Sequence, residues 1–251
     1  MLQDAGCQAV FLPKSLYHTP SSISNNDPNA SMVVKVSGSG TTTDINNDNN
    51  NNNNNNNNIN DDSHETWVTV ERLSQGLCAS SRPHFFRGVC TIVAKLFNIV
   101  DPDMAFFGKK DYQQWRVIER MARDLDFPIK VVGMPIQREA DGLAMSSRNA
   151  MLTPKKRAAA PCIYKALQQA VESVEKERKN NNNIKNSMPM EEVVEPVKAA
   201  IQAGGGVVDY VQCVDGESLK PVKTIGSRLT LLAVAAHFGS VRLIDNIEIP
   251  A

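Results

Sequence analysis

An α/β fold, with a parallel sheet in the first part and a small α+β unit in the tail, is predicted from three features of the sequence. Between residues 89 and 132 the apolar segments run helix, strand, helix, strand, the order that builds a parallel sheet. A glycine and two lysines stand directly after the first of these strands, where open α/β sheets bind ligands. Beyond residue 150 helices come first and strands follow consecutively, which predicts a second unit with its boundary near that residue.

Taken in order, Ala9-Val10-Phe11-Leu12, closed by Pro13, reads as a short buried strand. The preceding Gln3-Asp4-Ala5-Gly6 has the pattern of a last helical turn ending on glycine. A chain that opens this way is expected to start inside a domain. From about residue 21 to residue 60 the composition collapses into Ser, Thr, Gly, Asp and Asn, with an unbroken Asn run from Asn49 to Asn58. Such a segment buries too little to offset the entropy of ordering its backbone, so a disordered insertion is expected. A regulatory, aggregation-prone tract built on amide ladders is the alternative. The run Asn180–Asn183 reads as a smaller loop expansion of the same kind.

Thr66-Trp67-Val68-Thr69-Val70 alternates with period two and predicts a strand. Val89 to Phe97 is apolar on most faces and predicts a buried helix, and Met104 to Phe107 a core strand. Trp115, Ile118, Met121, Ala122 and Leu125 recur at three- and four-residue steps, which gives a helix one apolar face. Ile129 to Val132 is the next strand. In the tail, Thr153-Pro154 is an N-cap followed by proline at the first helical position, and Ile163, Leu167, Ala170, Val171 and Val174 trace an apolar stripe. A second helix is expected from about Pro189 to Ala203, stopped by Gly204-Gly205-Gly206. Strands are expected at Val207–Val214, Leu229–Ala236 and Arg242–Ile247.

Composition narrows the function classes. The chain has 251 residues, 41% of them apolar, which suffices for a sizeable core. Lys+Arg and Asp+Glu are both 27, so no global charge draws the chain to nucleic acid or to an anionic membrane. No apolar run approaches the ~18 residues of a bilayer span, and the first residues lack a basic segment followed by an apolar core, so no secretory signal is read. Five cysteines (Cys7, Cys78, Cys90, Cys162, Cys213) are dispersed without a CxxC pair. That reads as reduced thiols, with no disulfide framework and no metal site expected.

Two segments carry the chemistry. In Phe107-Gly108-Lys109-Lys110-Asp111-Tyr112-Gln113-Gln114 a turn leaves a parallel strand and opens a helix. It presents free backbone N–H groups and the positive end of a helix dipole, and added lysines make it a site for a polyphosphate. A solvated Lys-Lys turn is the plain alternative. In Asp141-Gly142-Leu143-Ala144-Met145-Ser146-Ser147-Arg148-Asn149 two hydroxyls and a guanidinium follow the next strand and match phosphate oxygens as donors and cation. An ordinary polar interdomain loop is the alternative there.

These segments, with Ser81-Arg82-Pro83-His84-Phe85-Phe86-Arg87-Gly88-Val89 and Lys95-Leu96-Phe97-Asn98-Ile99-Val100, closely resemble the pantothenate synthetase (pantoate–β-alanine ligase) family. The wording is nearest its eukaryotic, plant-type branch, and the similarity runs on to Arg242-Leu243-Ile244-Asp245-Asn246. The resemblance implies a Rossmann-like nucleotidyl-transferase sheet over residues 1–150 that binds ATP and pantoate, and a C-terminal α+β lid over residues 151–251. It implies ligation of pantoate to β-alanine through pantoyl-adenylate, with Mg-ATP as co-substrate and no prosthetic group, in a cytoplasmic homodimer. Carried over by motif, Gly108, Lys109, Lys110, Asp111, Gln137, Met145, Ser146, Ser147 and Arg148 would line the ATP. Lys110, Ser146, Ser147 and Arg148 would act on the reacting phosphate, while Gln114 and Arg82 would contact pantoate. Lys109 stands where bacterial relatives often carry Glu, so its side chain is expected to face solvent.

One departure bears on activity. His18, His64, His84 and His237 form no HxxH or HxGH pair, and the family's histidine-bearing loop and its neighbouring strands find no match. His84 is expected to be a structural ring near the sheet end. The Rossmann-like sheet is therefore expected to be incomplete and the chain as written poorly active. The alternative is a shortened, non-catalytic relative acting as a binding or interaction module.

Overall fold

The computed structural model describes residues 65–82, 84–180 and 188–251, together with two short strands nearer the start. Those two strands, β1 (Ala9–Val10) and β2 (Lys35–Val36), pair antiparallel and belong to a unit of their own, Met1–Thr66. The expected helix turn before residue 7, the rest of the strand to Leu12, the Asn run 49–58 and residues 181–183 lie outside the described residues. Of the expected insertion over residues 21–60 only Lys35–Val36 is described, as β2, and Asn180 is the last residue of a helix.

Trp67–Ala251 is the second unit. Residues 66–70 form no strand. The alternation there is a weak signal because it buries little: Trp67 and Thr69 are exposed, and Val68 and Val70 only half-buried. The Val68 amide is taken up by the Thr91 hydroxyl at 3.0 Å, an α-helical residue and not a strand partner. Helix α1 (Phe85–Val100) is longer than the apolar run that predicts it and buries Phe86, Cys90, Val93, Ala94 and Phe97. His84 caps it as an exposed residue with φ 64°.

Strand β3 (Met104–Gly108), helix α2 (Tyr112–Asp124) and strand β4 (Lys130–Met134) then form a β–α–β unit. The two strands are parallel and in register from Met104 opposite Lys130 to Gly108 opposite Met134. Ala105, Phe107 and Val131 turn towards α1 and α2, whereas Phe106 is 59% exposed on the other face. Gly133 is needed for close packing, because a Cβ there would stand 2.6 Å from the Trp115 indole.

The tail carries helices α3 (Pro154–Ala159), α4 (Cys162–Asn180) and α5 (Met190–Ala203). Thr153 caps α3 by accepting from the Lys156 amide, with proline at the first position. A two-residue strand β5 (Met188–Pro189) pairs with β7 (Thr224–Ile225). The long strands β6 (Val207–Asp215), β8 (Thr230–Phe238) and β9 (Val241–Ile249) make an antiparallel sheet in the order β6-β8-β9. Strand β8 does not alternate because both its faces are covered. Leu232, Val234, Ala236 and Phe238 pack with α4 and α5, while Leu231 and Ala233 pack with α1 and α2. The tail sheet thus shares the core of the β–α–β unit and brings β9 against the turn after β3.

Candidate active site

Strand β3 ends on Gly108 in an extended conformation (φ −70°, ψ 128°), and a Cβ there would meet nothing within 4 Å. The bend is made by the 3-10 turn Lys109–Asp111 and passes straight into α2. Asp111 gives α2 no side-chain cap, and the positive end of the helix dipole lies at this turn.

The Lys109–Asp111 turn is gripped from β9. The Asn246 side-chain amide donates to the Lys109 carbonyl at 2.9 Å and to the Lys110 carbonyl at 3.0 Å. The Lys109 ammonium lies 2.9 Å from both carboxylate oxygens of Glu248 and 5.1 Å from the centre of the Trp115 ring. Lys109 is therefore an internal anchor, contrary to the solvent-facing side chain expected: an acidic residue 139 positions along the chain supplies a partner that its neighbours do not reveal. Tyr112 donates to the same carboxylate at 3.2 Å, and burial, followed by the charge of Glu248, pushes its hydroxyl pKa well above the ordinary range.

The loop after β4 is folded back on itself. The Met145 amide donates to the Gln137 carbonyl, and a turn from Glu139 to Leu143 closes the loop. Arg138 fixes this loop to β9 by a two-pronged ion pair with Asp245, at 2.6 and 2.9 Å, and stacks 3.6 Å above the Tyr164 ring. Burial raises the Asp245 carboxyl pKa, while Arg138 and then Lys110 act to lower it. Ser146 starts the 3-10 turn Ser147–Met151 by accepting from the Arg148 amide. Asn149 donates to the Ala144 carbonyl at 3.1 Å, and its buried Oδ1 has no hydrogen-bond partner in the protein.

Between the two loops lies a cavity of about 100 Å³ lined by Arg82, Lys110, Asp111, Gln114 and Arg148, and by Tyr210 and Arg242 of the tail sheet. A smaller cavity of about 10 Å³ shares Lys110 and Arg148 and adds Ser146 and Asn149. Of the predicted residues, Arg82, Lys110, Asp111, Gln114, Ser146 and Arg148 are thus brought together. Gly108, Lys109, Gln137, Met145 and Ser147 line neither cavity, and Met145 and Ser147 are exposed. Arg242 is tied to Asp209 at 2.9 Å, whereas Lys110, Arg148 and Arg82 form no ion pair among the described residues. Three cations outside any ion pair thus line one cavity, together with the carboxylates of Asp111 and Asp245.

Sequence reasoning missed Gln113, Arg138, Tyr210, Arg242, Asp245, Asn246 and Glu248 as parts of the site. Gln113 is buried between the turn and residues 73–78, donating to the Leu73 and Gln75 carbonyls and accepting from the Cys78 amide. Beyond the family resemblance that runs to Arg242–Asn246, the signal for the β9 residues is polar side chains inside an apolar strand, Asp245-Asn246 between Ile244 and Ile247, because buried polar groups need partners.

The pantoate-beta-alanine ligase family model matches residues 1–248. Pantoate-beta-alanine ligases of Oryza sativa subsp. japonica and Arabidopsis thaliana are each 54% identical, over 188 and 186 residues, covering 75% and 74% of this chain. The chain spans 57% of the length of either plant relative. Among solved structures, the pantothenate synthetase of Thermus thermophilus superposes with a TM-score of 0.65 at 39% identity, over 74% of this chain and 64% of that one. The pantoate-beta-alanine ligase of Francisella tularensis, complexed with beta-gamma ATP and beta-alanine, gives 0.54 at 27% identity, over 75% of this chain and 60% of that one. The matched span takes in both loops and the sheet that joins them, and the chain belongs to the pantoate–β-alanine ligase family.

Proposed function

We propose that the cavity binds ATP and pantoate and serves the ATP-dependent ligation of pantoate to β-alanine through pantoyl-adenylate. The observation that carries this reading is the convergence of Lys110, Arg148 and Arg82 on one cavity at the N-terminus of α2. Two anionic reactants, a triphosphate and a carboxylate, repel each other. A site that joins them must neutralise both and hold the carboxylate oxygen in line with the α-phosphate.

In this reading Lys110 and Arg148 take the phosphate oxygens, aided by the Ser146 hydroxyl and the positive end of the α2 dipole. Gln114, one helical turn from Lys110, hydrogen-bonds pantoate, and Arg82 offers its carboxylate a cation. Attack of that carboxylate on the α-phosphate forms the acyl–phosphate bond and releases pyrophosphate; charge grows on the phosphoryl oxygens. A cation preplaced there stabilises the transition state more than ground-state ATP. The β-alanine amine then attacks the acyl carbon, and AMP leaves with the oxygen that pantoate contributed. Gly108, Lys109, Gln137, Met145 and Ser147 border the nucleotide through their backbone or set the loops that hold it. Mg²⁺, when it accompanies ATP, neutralises phosphate charge. Asp111, an exposed carboxylate on the cavity wall with no ion pair among the described residues, fits the one or two carboxylates such an ion takes. Residues 1–150 would carry the substrates and residues 151–251 the lid.

The test is release of AMP by the full-length protein supplied with Mg-ATP, pantoate and β-alanine. AMP and pantothenate are expected in equal amounts and only when all three are present. AMP release that ignores pantoate or β-alanine would overturn the assignment. A site that binds ATP yet never turns over would favour the binding-module alternative.

A further inference from the structure

We propose that Asn246 is a positioning residue for Lys110, acting from the C-terminal sheet on the site proposed above; the inference rests on that reading. Asn246 is 5% exposed, and its side-chain amide serves two successive carbonyls, those of Lys109 and Lys110. An amide –NH₂ has two hydrogens, and here both are spent on the backbone of one short turn.

The second half of the argument is what β9 does with the two lysines. Residues 246 and 248 lie on one face of the strand, two positions apart. Asn246 holds the backbone of the turn, and Glu248 holds the side chain of Lys109. Two adjacent, chemically identical side chains are thereby made unequal: Lys109 is fixed as an anchor, and Lys110 projects onto both cavities. A lysine is a point charge on a flexible four-carbon stem, so its reach into a site depends on where its Cα is fixed. Adjacent Asp245 secures the other loop through Arg138, so one dipeptide sets the position of both lips of the cavity. A purely structural asparagine would not need to sit on the carbonyl of Lys110, a cation that lines both cavities and has no ion pair among the described residues.

The experiment is a double-mutant cycle on the full chain, with Mg-ATP affinity measured by titration calorimetry and folding checked by thermal melting. Asn246→Ala is expected to weaken Mg-ATP binding about tenfold, within the range of coupling between contacting residues. In a Lys110→Ala background the same substitution is expected to change affinity less than about twofold, because the group it positions is gone. With Arg148→Ala, which Asn246 does not touch, the effects should multiply. Equal losses with and without Lys110 would overturn the proposal and make Asn246 a general fold residue. If Asn246→Ala does not fold, Asn246→Asp keeps the shape and removes the donors; failure of both to fold would also overturn it. An original chain that shows no Mg-ATP binding would instead refute the proposed function itself.

Discussion

Removing the Asp245 carboxylate probes the link between the tail sheet and the site loop. Asp245 is 3% exposed and Arg138 17%, and two hydrogen bonds of 2.6 and 2.9 Å join them. In Asp245→Ala the guanidinium keeps its bond to the Gly142 carbonyl and its stack on Tyr164 but loses its counter-charge. Breaking a buried pair from one side costs about 3–5 kcal/mol, and since Arg138 reaches some solvent, about 3 kcal/mol is expected. The assay is urea unfolding at pH 7, with the m-value checked to confirm an unchanged transition. Burial raises the Asp245 pKa in the fold. A carboxyl raised above its unfolded value contributes stability below the unfolded pKa that is lost as pH rises through the folded one. The ionised pair is thus no large net asset at neutral pH. Replacing both partners by apolar residues, Asp245→Leu with Arg138→Met, should therefore recover most of the loss. A single-mutant cost under about 1 kcal/mol, or a double mutant as unstable as the single, would refute the reasoning.

Gly133→Ala should destabilise the chain by about 1–3 kcal/mol in the same assay, because the new Cβ meets a fixed indole ring and not a flexible tip. Thr153→Ala should cost roughly 0.5–1 kcal/mol, since the α3 cap it removes is a long bond of 3.4 Å at an exposed site. Cys90 and Cys213 should resist iodoacetamide in the folded protein at pH 8, because burial pushes their thiols up to about 11 and about 12. The same raised values mean that stability present below the ordinary thiol pKa is lost as pH climbs through about 11, which an alkaline unfolding series would show.

What was legible in the sequence was what local pattern decides. The 3.6-residue spacing of Ile118, Met121 and Ala122 found α2, and Thr153-Pro154 found the start of α3, because cap and first turn are set by neighbouring residues. Strand β8 was legible as an apolar run, although only the fold reveals that two different cores cover its faces. Thr66–Val70 failed because alternation without burial has no sheet to join. In the site, Lys110, Ser146 and Arg148 stood out because glycine, lysine and hydroxyls cluster within each loop. Their supports did not, because Asn246, Glu248 and Asp245 act over 107–139 positions of chain. The family resemblance already implies unequal roles for Lys109 and Lys110, but that Lys109 is an anchor and not a solvent-facing side chain follows from Glu248, which a Lys-Lys pair does not reveal.

That inequality gives the most direct test of the account. Mg-ATP is titrated into the full chain and into its Lys110→Ala and Lys109→Ala variants, with heat or nucleotide fluorescence as the signal. Lys110→Ala, which removes an unpaired cation from the cavity, should weaken binding tenfold or more, the scale of losing a charge-assisted contact of ~1.5–3 kcal/mol. Lys109→Ala, which removes an ammonium already engaged by Glu248, should weaken it by less than about threefold. Equal losses in the two variants, or a Lys110→Ala chain that binds Mg-ATP as well as the original, would contradict the assignment of this cavity.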